Sequence, residues 1–229
     1  MTPAHSKIVD ARTDRVNSLP ADPISRKFGF DLGTPIDRFY IESFLDGCRE
    51  DIKGRVLEVA DSNYTMRYGA NRVTTSDVLH ATPGNRRATI IGDLATGNGI
   101  PHDAFDCIIL TQTLHCIFDV SAVIRNCHLA LRPGGVLLAT MPGISQISRY
   151  DMDRWGDYWR FTSLSARRLL ADVFGAEQVK VEAHGNVRIA AAFLYGMSLE
   201  QVNQADLTRT DPDYELLITV RAVKSDDRP

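Results

Sequence analysis

Strand-length segments alternate with helical or turn-forming stretches along most of this chain, and that alternation constrains the fold more than any other feature. Residues 55–60 (RVLEVA), 72–77 (RVTTSD), 88–93 (ATIIGD), 104–111 (AFDCIILT) and 136–141 (VLLATM) are apolar or β-branched runs of strand length. Ahead of them, Ile36 to Ile52 places apolar side chains at 36, 39, 40, 41, 44, 45, 48 and 52, a helical stripe that Gly54 ends. Asp119 is placed to cap a helix with apolar positions 120, 123, 124, 127 and 131, which RPGG at 132–135 stops. Thr162 or Ser163 opens another, closed by Gly175. Residues 178–183 alternate as a strand with one exposed face, 187–206 are helical in two pieces broken near Gly196, and 214–223 form a last strand. Strand and helix in this succession predict an open α/β sheet, mostly parallel, with right-handed crossovers and helices on both faces. The unbroken apolar runs fit strands covered on both sides. Ligands of such sheets bind beyond the carboxyl ends of the strands, where strand order reverses. Function is therefore expected just after Ala60, Asp77, Asp93, Thr111 and Met141.

A chain of 229 residues is long enough for one domain with a full core. The predicted layout is an N-terminal arm at 1–30, one domain at 31–223 and a charged tail at 224–229. Within the domain, 31–53 is a helical cap and 142–162 a substrate loop. The net charge of −3 excludes a generally basic nucleic-acid binder. No apolar run reaches the length of a membrane span, and the polar start MTPAHSKIVDARTDRV has no secretory core, so a cytoplasmic location is expected. Cys48, Cys107, Cys116 and Cys127 form no CxxC pair, and no two histidines form HxH or HxxxH. No metal is expected from this spacing, although ligands distant in sequence can converge in space.

Three successive strands deliver an acid to one sheet edge. Glu58 and Asp61 flank the end of the first, Asp77 closes the second and Asp93 the third. A carboxylate after the second strand is suited to accept two hydrogen bonds from ribose hydroxyls. One after the third can accept from an adenine amine. Each acid alone serves equally well as a helix cap, but the three in order point to a nucleoside pocket.

GRVLEVAD at 54–61, SDVLH at 76–80, GDLATGNGIPHDAFDCIILTQTLHCIFD at 92–119 and LALRPGGVLLATMPG at 129–143 together resemble a class I S-adenosylmethionine-dependent methyltransferase of the type 11 kind. The resemblance covers 54–145; WGDYWRFT at 155–162 is similar to members from sugar and natural-product pathways. It implies a Rossmann-like seven-stranded sheet with an antiparallel last strand, S-adenosylmethionine as cofactor, and transfer of a methyl group to a small molecule, foremost O-methylation of a sugar or secondary metabolite. The alternatives are the same fold running non-methylating chemistry such as a cyclisation, or a non-catalytic partner subunit. Nucleic-acid and membrane partners are not expected, and a homodimer stays open.

The family's glycine-rich first loop is replaced here by Glu58-Val-Ala-Asp-Ser-Asn-Tyr-Thr. Either the loss closes the pocket, or Asp61, Ser62, Asn63 and Thr65 hold the methionine end with side chains, with Tyr64 in the same 61–65 stretch of cofactor contacts. On the second reading Asp77 holds the ribose and Asp93 with Leu94 the adenine, while Glu58, Thr111 and Gln112 complete the cofactor side. His115 follows the fourth strand, where a general base for a hydroxyl acceptor is wanted, and Asp151 is a second candidate base. The loop from Pro142 is long for an α/β connection and carries both tryptophans. Tyr150, Arg154, Trp155, Tyr158 and Arg160 are its candidate acceptor ligands, by ring stacking and guanidinium forks. The competing reading packs Trp155 and Trp159 on the core and pairs Asp157 with Arg160 at the surface.

Overall fold

Seven strands form one sheet in the order β3-β2-β1-β4-β5-β7-β6. The computed structural model describes residues 20–225. The strands are β1 (Gly54–Val59), β2 (Val73–His80), β3 (Ile90–Ile91), β4 (Phe105–Thr111), β5 (Leu131–Pro142), β6 (Val179–His184) and β7 (Leu217–Val223). β1 to β5 pair in parallel, and β7 lies antiparallel between β5 and β6. β6 therefore runs the same way as β5. The sequence reverses its course between β1 and β4, which places the topological switch at their carboxyl ends.

The helices are α1 (Ile36–Gly47), α2 (Val120–Ala130), α3 (Arg149–Met152), α4 (Ser163–Phe174), α5 (Val187–Leu194) and α6 (Gln204–Leu207). Alternate residues of the central strands feed two cores. Val56, Cys107, Ile109, Val136 and Leu138 meet α1 and α5 through Ile41, Leu45, Ile189 and Phe193. Leu57, Ile108, Leu110, Leu137 and Ala139 meet α2 and α4 through Val123, Ile124, Ala166 and Leu170. Strands covered on both faces account for the unbroken apolar runs. α2 starts at Asp119, whose carboxylate accepts from the Ala122 amide at 2.9 Å. α4 starts at Thr162, reciprocally bonded with Ser165 as a capping box. No helix among the described residues is long and apolar enough to cross a membrane.

Several expected boundaries shift. β2 does not end at Asp77: pairing with β1 continues through Val59↔Leu79, so the strand runs on to His80. β3 shrinks to two residues, because only Leu79↔Ile90 and His80↔Ile91 pair at this edge. RPGG does not stand between helix and strand but opens β5, where the pairing with β4 slips between Phe105 and Cys107. Of the expected arm, 1–19 lie outside the described residues, and 20–30, though largely exposed, are anchored to the domain at Ile24, Ser25 and Phe28. The Ile24 and Ser25 amides donate to the Tyr195 carbonyl at 2.8 and 3.2 Å, and the Phe28 ring packs tilted against Phe193 with centroids 5.8 Å apart. Gly196 makes this possible, since a Cβ there would meet the Ser25 carbonyl oxygen at 2.1 Å. Of the tail, the Lys224 amide donates to the Gly135 carbonyl and its carbonyl accepts from the Gly134 amide, and 226–229 lie outside the described residues.

Candidate functional site

A cleft of about 530 Å³ opens at the carboxyl ends of β1, β2, β3 and β4, the place the topology favours for a ligand. Its floor is Val59, Leu79, Leu94 and Ile117; its polar wall includes His80, Asp93, Thr111 and Gln112; Arg154, Trp155 and Tyr158 close it from the loop after β5.

The first loop is tied down from beneath. Glu58 is 3% exposed, and its carboxylate accepts from the amides of Tyr64 (3.2 Å) and Thr65 (2.8 Å). Burial raises its pKa despite those amide hydrogen bonds. Asp61 accepts from the amide and side chain of Asn63 at 2.9 and 2.8 Å. The Tyr64 hydroxyl accepts from Arg38 at 2.5 Å, and Thr65 is fully buried. Glu58, Asp61, Asn63, Tyr64 and Thr65 thus organise the loop, and none of their side chains forms the cleft wall. Val59 and Ala60 do. Ala60 sits at φ +73°, the left-handed region glycine would fill without strain.

Asp77 is the clearest correction. It pairs opposite Leu57 in mid-strand, accepts from Arg55 Nε at 2.7 Å and from the Thr89 hydroxyl at 2.7 Å, and is absent from the cleft wall. An acid normally marks a strand's end because it does not pair well inside a sheet; here Arg55 neutralises it and the strand continues. His80 takes the position at the end of β2. Its Nδ1 donates to the Thr82 carbonyl at 2.7 Å, and its ring meets Trp155 edge-on at 5.6 Å. Asp93 holds its expected place: one carboxylate oxygen accepts from the Ala95 amide at 2.7 Å while the side chain lines the cleft beside Leu94.

A second cavity, of about 340 Å³, adjoins the first: Gln112 and Asp151 line both. Phe28, Phe30, Tyr150 and Phe193 supply aromatic surface, and Asp37, Arg38, His115 and Arg160 its polar groups. His115 is 6% exposed and its Nδ1 is buried without a hydrogen-bond partner among the described residues. Burial lowers its pKa below the ordinary histidine value, against the opposing pull of Asp157, and so favours the neutral ring. Arg160 is engaged with Asp157 at 2.5 Å and with the Gln146 carbonyl, the pairing that the competing reading of the sequence offered in place of a free fork. Burial pulls the Asp157 carboxyl up, but Arg160 and the Ser148 amide together outweigh it and hold the acid low. Arg154 lies 3.8 Å over the Tyr150 ring. The tryptophans divide: Trp155 faces the cleft, and Trp159 donates to the Phe118 carbonyl at 3.1 Å.

Sequence reasoning missed His80 and Asp37. Asp37 has one carboxylate oxygen shielded from solvent without a partner, and burial raises its pKa. Its helix was legible, but not which residues of the first turn would face inward. Tyr40 and His184 stack on each other at 5.5 Å away from both cavities, and His184 Nε2 lies 3.0 Å from the Thr219 hydroxyl.

The family model described as methyltransferase domain matches residues 24–185. Among solved structures, the chain is similar to phosphoethanolamine N-methyltransferase 2 of Haemonchus contortus, a complex with phosphomonomethylethanolamine and S-adenosylhomocysteine. Identity is 14% and the TM-score 0.51, over 76% of this chain and 49% of that one, so the match spans about half of the longer enzyme. An S-adenosylmethionine-dependent methyltransferase from Mesorhizobium loti is 16% identical, covers 82% of this chain and 97% of its own, and has a TM-score of 0.51. The CMeT domain of citrinin polyketide synthase is 13% identical over 84% of this chain and 54% of that one, with a TM-score of 0.53. At such identities these likenesses speak for the fold. No curated protein matches the sequence significantly.

Proposed function

This chain belongs to the methyltransferase-domain family, and on that premise we propose that it transfers a methyl group from S-adenosylmethionine to a small hydroxylated acceptor. The observation that carries the reading is the pair of cavities meeting at Gln112 and Asp151, one at the strand ends and one beside a neutral buried histidine.

The cleft suits an adenosine. The apolar side chains of Leu79, Leu94 and Ile117 offer faces for a flat base, Asp93 keeps a carboxylate oxygen for an amine, and His80 stands where a ribose partner is wanted. The cofactor supplies a methyl group already activated on a sulfonium. The protein's part is to align the acceptor with that methyl and keep water away. Phe28, Phe30 and Tyr150 support an acceptor ring, and Asp37 and Arg38 address its polar groups. His115, neutral because it is buried, takes the proton that a hydroxyl releases as it becomes methylated. Asp151, on the wall between the cavities, is the alternative proton acceptor.

Calorimetry with S-adenosylhomocysteine tests the cofactor assignment. A single site with micromolar affinity supports it. Absence of heat at millimolar ligand would reject it and leave the fold as a partner subunit. With an acceptor drawn from a panel of hydroxylated sugars, His115→Gln is expected to lower kcat by about a hundredfold or more. An unchanged kcat removes His115 as the base.

A further inference from the structure

His115, Cys116 and Asp151 converge at the junction of the two cavities, although sequence spacing gave no sign of a metal site. One ring nitrogen of His115, the Cys116 Sγ and a carboxylate oxygen of Asp151 all lie within 4.8 Å of one another. His115 lines the second cavity, Cys116 the cleft, and Asp151 both. Among the described residues, none of the three side chains has a hydrogen-bond or ion-pair partner, and the His115 Nδ1 is buried without one. A buried imidazole nitrogen left without a partner beside a half-buried thiol and carboxylate calls for an explanation.

We propose that these three residues bind a divalent transition-metal ion of the zinc or cobalt kind. The donor set selects the ion class: imidazole and thiolate suit zinc and its neighbours, whereas calcium and magnesium require oxygen ligands. Charge supports it too, since a thiolate and a carboxylate together neutralise a divalent ion. The backbone holds the ligands firmly. His115 and Cys116 share the short helical turn Leu114–Cys116, which the Tyr158 amide pins by donating to the His115 carbonyl at 2.8 Å. Asp151 lies in α3, whose Ser148 cap accepts from the Asp151 amide at 3.3 Å. Ligand bonds of about 2.0–2.3 Å place tetrahedral donors roughly 3.5 Å apart, so small rotations of the thiol and carboxyl close the set. Three protein ligands leave one position open toward the cavities, the arrangement of a reactive rather than a purely structural site. Binding replaces the thiol proton by the metal and releases one proton per ion. The ion would also take the lone pair that His115 offers an acceptor, so the loaded protein loses that base; this last consequence rests on the methyltransferase reading, while binding does not.

The test is a titration of the full chain with Co2+ alone. The expected result is one equivalent bound, a near-ultraviolet thiolate-to-cobalt band, and one proton released. Cys116→Ser should abolish the band and Asp151→Asn should weaken binding by about tenfold or more, while Cys48→Ser leaves both intact. Absence of the band in the wild-type protein at stoichiometric cobalt overturns the proposal, as does its persistence in Cys116→Ser. Should Cys116→Ser fail to fold, unchanged cobalt affinity in Asp151→Asn overturns it equally. Because the readout is spectroscopic, it is indifferent to whether S-adenosylhomocysteine binds.

Discussion

Asp77 and Asp93 have the same side chain and similar sequence surroundings, yet the structure gives them different tasks. Asp93 borders the cleft, whereas Asp77 is locked between Arg55 and Thr89. Asp93→Ala should therefore weaken S-adenosylhomocysteine binding by about tenfold in calorimetry, a loss of about 1.4 kcal/mol. Asp77→Ala should leave that affinity unchanged and instead lower stability by about 1–3 kcal/mol in urea unfolding, because Arg55 loses the acid that satisfies it. A second contrast concerns Ala60. Holding a Cβ at φ +73° costs about 1–2 kcal/mol. Glycine removes that strain but gains freedom in the unfolded chain, which offsets part of it. Ala60→Gly is expected to raise stability by about 0.5–1 kcal/mol, measured as a higher urea midpoint at unchanged slope. A lower midpoint would mean that the Ala60 methyl packs to more advantage than its conformation costs.

At the scale of elements, short connections with defined caps position the site. α2 begins at the Asp119 cap, directly after the turn that carries His115 and Cys116. Asp119→Ala should cost about 1 kcal/mol of stability. It should also speed amide exchange in the first turn of α2 more than in α4, which its own capping box holds. Equal exchange in both helices would show that the cap acts only through global unfolding. The loop after β5 is built differently: the Asp157–Arg160 pair and the short α3, not a continuous helix, tie it together. The sequence marked this loop by its length and its aromatics. It left Arg160 open between a ligand fork and a pair with Asp157, and the structure shows the pair.

Across the whole molecule, histidine burial sets the acid response. His115, His128 and His184 all have pKa values lowered by desolvation. In the pH range between those lowered values and about 6.5, the unfolded chain holds more protons than the folded one. Stability should therefore fall as pH drops below about 6.5 and level off above it. Urea midpoints measured across that range check this, and His115→Gln should flatten part of the slope. A slope unaltered by replacing all three would assign the acid response to other groups. As for what could be read without coordinates, periodicity carried the α/β class, the helix starts at Asp119 and at Thr162 or Ser163, and the strand-end location of the cleft, because apolar spacing and caps are local properties of the chain. Asp93, Leu94, Thr111 and Gln112 followed from that reading and do line the cleft. The register of β2, which moved Asp77 inward and brought His80 to the rim, depended on its pairing with β1 and on the Arg55 charge across from it. The meeting of Asp37, His115 and Asp151 around one cavity likewise required three separate segments to pack against the sheet. Contacts between residues far apart in the chain leave no periodic trace in it, so packing alone could settle them.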